Sequence, residues 1–531
     1  MRFCAPGGNT CPERPQFWPF PPLEADFPDR LPRLRAAVHT VEDSPQPERE
    51  EVATVSDILN LSAAETVAGI RRKEFSAREA VDAHLARIEE VNPVINAVVT
   101  LDPDGARAAA TAADELTMSG AELPPLHGLP MTHKDTHSTR GMRTTQGSLV
   151  LKDAVPEEDD LIIARLRAAG VVATGKTNVP EFGAGSHTFN EVFGTTTNPY
   201  APTLSAGGSS GGVAAAIASG IQPLGEGSDM GGSLRIPASF CNVAGFRPSY
   251  GVIPMPSPVN AWAWLGRTGP MAREVSDIAL FMSAVAGPSP LLPTPAPIGG
   301  EAFAGPLTGD LRGVRIGWSE DFGIGIPVEP GVLEVLRRQL RVFEEAGAVI
   351  EEATPDFSEA DKVFQATRAT DFAAGLGPLV RAHRDLIKPE VVWNVELGWS
   401  LSAEDLIEAT AARTRLEASV QDFFGRYDLF LSPAAQVLPF DASLRYPQEV
   451  NGVASETYLD WMRSACVLSA TSLPVLALPA GFTPAGLPVG FQLAVNHYRD
   501  ADLLRYAKAF EDRTRCADVR PALPAAAPTA P

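Results

Sequence analysis

Two serines in this chain sit in glycine-rich loops of the kind that present a hydroxyl. They are Ser209, in Gly207-Gly-Ser-Ser-Gly-Gly212, and Ser233, in Gly231-Gly-Ser233, and they lie 24 residues apart. Glycines on both sides let the backbone take positive φ values and approach another group closely. Residues 213–219, between the loops, read as one or two helical turns. The apolar runs Val213-Ala-Ala-Ala-Ile-Ala and Arg235-Ile-Pro-Ala-Ser-Phe argue against a flexible linker. A serine hydroxyl is a weak nucleophile until a base takes its proton. The chemistry therefore turns on which base the chain supplies.

Two familiar patterns fail on context. Gly170-Val-Val-Ala-Thr-Gly-Lys176-Thr177 matches the phosphate-loop pattern letter for letter. Such a loop needs a strand before it and a helix after it. Here a helix is expected before it, β-branched residues fill it, and Pro180 and Gly183 break any helix after it. Gly207-Gly-Ser209-Ser-Gly211 matches the nucleophile elbow G-x-S-x-G. The elbow must follow a strand, and Asn198-Pro-Tyr-Ala-Pro-Thr-Leu-Ser, with two prolines, does not read as one. It also needs a downstream histidine, and His383 and His497 stand in no recognisable setting.

What remains is a lysine and two serines. Together they closely resemble the amidase signature family. Its lysine motif reads here as Pro125-Leu-His-Gly-Leu-Pro-Met-Thr-His-Lys134-Asp135. Its serine motifs read as Gly207-Gly-Ser209-Ser-Gly-Gly212 and Gly227-Ser-Asp229-Met-Gly-Gly-Ser233-Leu-Arg235. The resemblance runs from about residue 56 to 515, from Leu85-Ala-Arg-Ile-Glu-Glu-Val-Asn-Pro93 to Gly486-Leu-Pro-Val-Gly-Phe-Gln492. Asn242 and Arg247 stand where a glycine and a lysine are more usual, and residues 290–420 match poorly. The resemblance implies a Ser–Ser–Lys triad. Ser233 is the expected nucleophile, Lys134 the base, and Ser209, in a cis peptide arrangement, the proton relay. The N–H groups of Met230, Gly231, Gly232 and Ser233 are the expected oxyanion hole. It also implies an α/β fold: one large domain with a mixed β-sheet covered by helices on both faces. No metal or cofactor is expected.

The physical chemistry agrees. A lysine is a base only when neutral, and its ordinary pKa of about 10.4 must fall by about 3 units, or roughly 4 kcal/mol, to reach pH 7. Burial supplies shifts of that size. Lys134 follows Leu126, Leu129, Pro130 and Met131, an apolar segment able to bury it. A tight glycine loop can aim several N–H groups at a developing oxyanion. Asp229 and Arg235 are read as braces of the loop. Trp262 and Trp264 are read as core, with an acyl pocket as their alternative use.

Composition limits the partners. The chain has 531 residues, 44% of them hydrophobic, and a formal net charge of −21. That charge argues against nucleic acid and against an anionic membrane surface. The five cysteines, Cys4, Cys11, Cys241, Cys466 and Cys516, form neither a disulfide framework nor a zinc pattern. No apolar run of about 18 residues spans a membrane. A cytoplasmic setting is expected, with a small-molecule amide as substrate and a homodimer among the assemblies allowed. Residues 1–51, rich in proline and charge, are expected to be a disordered extension, either a docking arm or the product of a start codon placed too far upstream. Residues 52–515 are the expected amidase domain, with a variable region at 290–420, and residues 516–531 a disordered tail. The A-type component of a tRNA-dependent glutamine amidotransferase shares the triad. It usually reads Asp-Glu-Phe-Ala-Met-Gly-Ser where this chain has Pro180-Glu-Phe-Gly-Ala-Gly-Ser186. A non-catalytic receptor on the same fold is the other alternative.

Local signals place the elements. Ser62-Ala-Ala-Glu65 and Ser76-Ala-Arg-Glu79 fit the capping box. The second opens a helix that Asn92-Pro93 is expected to end. Helices are expected at 106–116, 161–169, 275–285, 332–346 and 501–511, and mainly helix over 355–420. Strands are expected at 171–174, 314–318, 429–433 and 476–479.

Overall fold

Both capping boxes form. Ser62 and Ser76 accept the N–H of Glu65 and Glu79, whose carboxylates return a bond to the cap backbone. They start the helices Ala63–Arg72 and Ala77–Ile95 of the computed structural model, which describes residues 55–523. The expectations for residues 1–51, and for the tail beyond residue 523, lie outside that range. The second helix does not stop at Asn92-Pro93. It runs to Ile95 and closes on Asn96 at φ 48°. A proline this near the C-terminus removes one hydrogen bond, and the remaining turn closes on a left-handed asparagine.

Two sheets carry the fold. The smaller has three strands, β1 (Val98–Leu101), β2 (Pro130–Lys134) and β3 (Val172–Thr177), in the order β1-β3-β2. The larger has eight: β4 (Leu224–Asp229), β5 (Ala244–Arg247), β6 (Arg267–Ala272), β7 (Arg315–Trp318), β8 (Val349–Glu352), β9 (Leu429–Pro433), β10 (Val475–Phe482) and β11 (Pro488–Ala494). Their order is β8-β7-β9-β11-β10-β5-β6-β4. The pairs β7–β8 and β7–β9 are parallel and the other neighbours antiparallel. The fold is thus α/β with a mixed sheet, as expected.

Successive residues of a strand point to opposite faces, and here both faces are apolar. Val475, Ala477 and Phe430 join one core with the helices Gly211–Ala218, Ala403–Phe424 and Arg463–Ser469. Leu476, Leu478, Leu429 and Leu431 join the other with Val275–Val285, Pro330–Glu345 and Asp500–Thr514. The central strands therefore read as continuous apolar runs. Residues 355–420, expected to be mainly helical, hold the helices Ala360–His383 and Pro389–Ser400 and most of Ala403–Phe424.

Three other expectations need correction. Ala201–Ser205 is a strand despite Pro202, because it forms a two-stranded ribbon with Thr197–Asn198 and meets Asp441 only at a single bridge from Leu204, so the missing Pro202 N–H is tolerated. Trp262 is 64% exposed and so is not core. Residues 516–523 are docked: Cys516–Asp518 form a 3-10 turn, Asn242 Nδ2 donates to Cys516 O (2.8 Å) and Tyr200 Oη to Val519 O (2.7 Å). Asn242 has φ 53°, a conformation suited to the glycine more usual there.

Phe343 sits at the centre of the second core, stacked on Phe510 at 4.5 Å and edge-on to Phe491 at 5.9 Å. Phe343→Ala is expected to cost about 3–5 kcal/mol, read by urea unfolding. A loss below about 1 kcal/mol would mean that this core is not packed as described.

Candidate active site

Three chain segments converge at the ends of strands β2 and β4. Lys134 is the last residue of β2. Ser209 ends the glycine loop before the helix Gly211–Ala218. Ser233 follows β4 by four residues and precedes the helix Arg235–Phe240. The Lys134 N–H donates to Glu226 Oε1 on β4 (2.8 Å), tying the two sheets together at this point. Gly212 must be glycine, since a Cβ there would lie 2.5 Å from Asn178 N and 2.8 Å from Ala97 O.

Lys134 is wholly buried. Its Nζ lies 2.8 Å from Ser209 Oγ, 2.9 Å from Ser210 Oγ and 2.9 Å from Ser228 Oγ. The Gly208–Ser209 peptide bond is cis. Burial lowers the lysine to about 7, against the opposing pull of Asp229 and Glu226. Those carboxylates fail to hold the ammonium charged because each is already compensated. Burial pushes Asp229 up, yet Arg235 and Arg247 hold it well below the usual carboxylate range. Burial likewise pushes Glu226 up, and its contacts with His133 Nδ1 (3.3 Å) and His137 Nδ1 (3.1 Å) hold it down.

Asp229 and Arg235 brace the loop, as read from the sequence. Asp229 Oδ1 accepts the Gly232 N–H (2.8 Å) and Oδ2 the Leu234 N–H (3.0 Å). Arg235 donates to both oxygens at 3.0 Å, and also to Gln492 Oε1 (2.8 Å), Ser469 Oγ (2.6 Å) and Ala465 O (3.0 Å). Gly232 has φ 107°, and a Cβ there would lie 2.5 Å from that of Ala465. Four loop N–H groups were expected to face one oxyanion. The Gly232 N–H is committed to Asp229 instead, because the turn aims it back at the brace. No hydrogen-bond partner among the described residues takes the N–H of Met230, Gly231 or Ser233.

A cavity of about 290 Å³ opens onto this loop, and Ser209, Ser228, Met230 and Ser233 line it. Lys134 does not. Its nitrogen meets the cavity only through Ser209 and Ser228, whose hydroxyls it touches. The sequence reading missed Ser210 and Ser228, although each is adjacent to a residue it singled out. Trp262 and Trp264 do not line the cavity. Arg413 lies 3.6 Å over the Trp264 ring.

The rejected patterns stay rejected. Lys176 ends no phosphate loop; it lies in strand β3 and its buried Nζ donates to Thr139 Oγ1 (2.8 Å). The Ser209 hydroxyl meets a lysine rather than the histidine an elbow requires.

Known proteins resemble this chain over most of its length. The family model for amidases matches residues 79–504. The chain is 36% identical over 468 residues to an acylamidase of Rhodococcus erythropolis, covering 87% of this chain and 97% of that one. It is 33% identical over 495 residues to a component of the glutamyl-tRNA(Gln) amidotransferase of Chloroflexus aurantiacus, covering 88% and 100%. Among solved structures, a bacterial aryl acylamidase of the amidase signature family superposes with a TM-score of 0.81 at 29% identity, over 87% of this chain and 99% of that one.

The brace makes a prediction that needs no substrate. Arg235→Met removes one partner of a buried pair, which is expected to cost about 3–5 kcal/mol in urea unfolding. A cost below about 1 kcal/mol would show that Asp229 does not depend on Arg235.

Proposed function

This chain belongs to the amidase family, and on that premise we propose that it hydrolyses a carboxamide through a serine acyl-enzyme. The observation that carries the reading is the buried Lys134 amine 2.8 Å from Ser209 Oγ, on a cavity wall that Ser209 shares with Ser233. Neutral Lys134 takes a proton from Ser209 as Ser209 takes one from Ser233, and the Ser233 Oγ attacks the amide carbonyl. The N–H groups of Met230, Gly231 and Ser233 stabilise the oxyanion, which is usually the largest single catalytic contribution. The proton returns through Ser209 to the leaving nitrogen, and ammonia or an amine departs. Water then attacks the acyl-enzyme by the same route in reverse and frees the acid.

A second reading is a component of a tRNA-dependent amidotransferase, favoured by the likeness to the Chloroflexus protein. Pro180-Glu-Phe-Gly-Ala-Gly-Ser186 speaks against it. Amide hydrolysis by the purified chain without partner proteins separates the two.

Ser233→Ala is expected to lower turnover by about 10⁶-fold. A fluorophosphonate probe followed by intact-mass spectrometry should give one adduct on the wild type, none on Ser233→Ala and a weakened one on Ser209→Ala. An adduct that survives Ser233→Ala contradicts the assignment. Because the base works only when unprotonated, kcat/KM should rise with pH through about 7 and level off above it. Lys134→Ala should abolish that rise along with most of the rate. Near-normal rates at neutral pH in Lys134→Ala would remove lysine from the mechanism.

A further inference from the structure

The cavity wall carries a cation that the proposed chemistry does not use. Arg368, on the helix Ala360–His383, is 3% exposed. Its guanidinium lies 4.4 Å from the centre of the Phe372 ring and 3.2 Å from Met230 Sδ, and all three residues line the cavity with Ser233. Its fixed partners are neutral. Nε donates to Asn394 Oδ1 (3.1 Å) and one terminal nitrogen to Tyr458 Oη (2.6 Å). Each terminal nitrogen keeps a second N–H, and no carboxylate of the described residues lies within 4.0 Å of the group. Asp371, three residues on, accepts from the Asn260 amide (3.4 Å) and is acted on by the Arg368 charge only from beyond ion-pair distance.

A buried charge without a counter-ion is costly. Scarcity of acids does not explain it, since the chain has 65 Asp and Glu against 44 Lys and Arg. Two neighbouring arginines do have a counter-ion: Arg235 and Arg247 both face Asp229. Arg267, the other buried cation on the wall, also has no carboxylate of the described residues within 4.0 Å, and its Nε and one terminal nitrogen have no hydrogen-bond partner there. Its guanidinium lies over the Tyr250 ring (5.0 Å), which is not part of the wall, whereas that of Arg368 lies against Met230 and Phe372, which are. The wall's carboxylates are engaged, Asp229 by its arginines and Asp160 by the Ser138 N–H (2.8 Å).

We propose that the substrate is an amide bearing a carboxylate, and that Arg368 is the residue that selects it by pairing with that carboxylate. This rests on the amidase reading above. The carboxylate would sit either on the acyl part, as in the monoamide of a short dicarboxylic acid, or on the amine part, as in an N-acyl amino acid. In both cases the Arg368 fork receives it across the Met230 side chain while Ser233 faces the amide carbonyl. Bidentate guanidinium–carboxylate contacts are among the stronger hydrogen bonds in proteins.

The test is calorimetric binding to the full-length Ser233→Ala protein, which cannot turn the probes over. Glutaric acid monoamide against valeramide examines the acyl side. N-acetylglycine against N-ethylacetamide examines the amine side. The expected result is tighter binding of the charged member of one pair, by about 10-fold to 100-fold. That preference should vanish when Arg368→Met is added and survive in reduced form with Arg368→Lys, which keeps the charge but loses the fork. Each preference is a ratio within one protein, so a general loss of fold does not imitate the result. No preference in either pair, or a preference unchanged by Arg368→Met, overturns the proposal. Fluorophosphonate labelling of Ser233 in the otherwise wild-type enzyme is read alongside: its failure counts against the amidase reading, whereas its success without a charge preference counts against the role of Arg368 alone.

Discussion

Burial of one amine governs this site. Lys134 is wholly enclosed, and its loss of hydration outweighs the attraction of two carboxylates and brings the amine to about 7. The outcome depends on what the carboxylates are already doing. Asp229 is held by Arg235 and Arg247, and Glu226 by His133 and His137. Had either faced the lysine uncompensated, the ammonium form would have gained an ion pair, and an opposite charge at close range favours the charged form. The buried charges around the lysine thus serve its neutrality by satisfying one another.

The same brace fixes the loop that faces the cavity. Asp229 ends strand β4, takes the Gly232 and Leu234 N–H groups and holds Arg235, which reaches Gln492 on β11 and Ser469 on the helix Arg463–Ser469. A loop tied at several points to the central sheet has little freedom to reorient its remaining N–H groups. Such fixed donors need no rearrangement as charge develops on the substrate. Lys134 stands behind this wall and meets the cavity only through serine hydroxyls, so access of water to the amine is limited by the same packing that lowers its proton affinity.

Much of this was legible in the sequence, and what was not has physical reasons. The capping boxes at Ser62 and Ser76 and the strand at 429–433 rest on local rules and form where those rules place them. Lys134, Ser209 and Ser233 were legible through their motifs, and the structure brings Lys134 and Ser209 into contact and sets Ser233 on the same cavity wall. The Pro93 helix and the Ala201–Ser205 strand were misread because proline was judged without its place in the element, near a helix end or in a two-stranded ribbon. The Gly232 N–H was misassigned because donor direction is set by the turn, and the turn is set by Asp229. Arg368 left no signal at all. It lies in a helix without a motif, and its meaning comes from what does not lie beside it.

The proposed chemistry depends on the charge state of Lys134. The direct measurement is an NMR pH titration of the Lys134 side chain in the folded protein, with Lys134→Met identifying the signal. A midpoint near pH 7 is expected. A midpoint near the ordinary value of about 10.4 would mean that the amine stays protonated at neutral pH, and it would contradict the base on which the proposed chemistry depends.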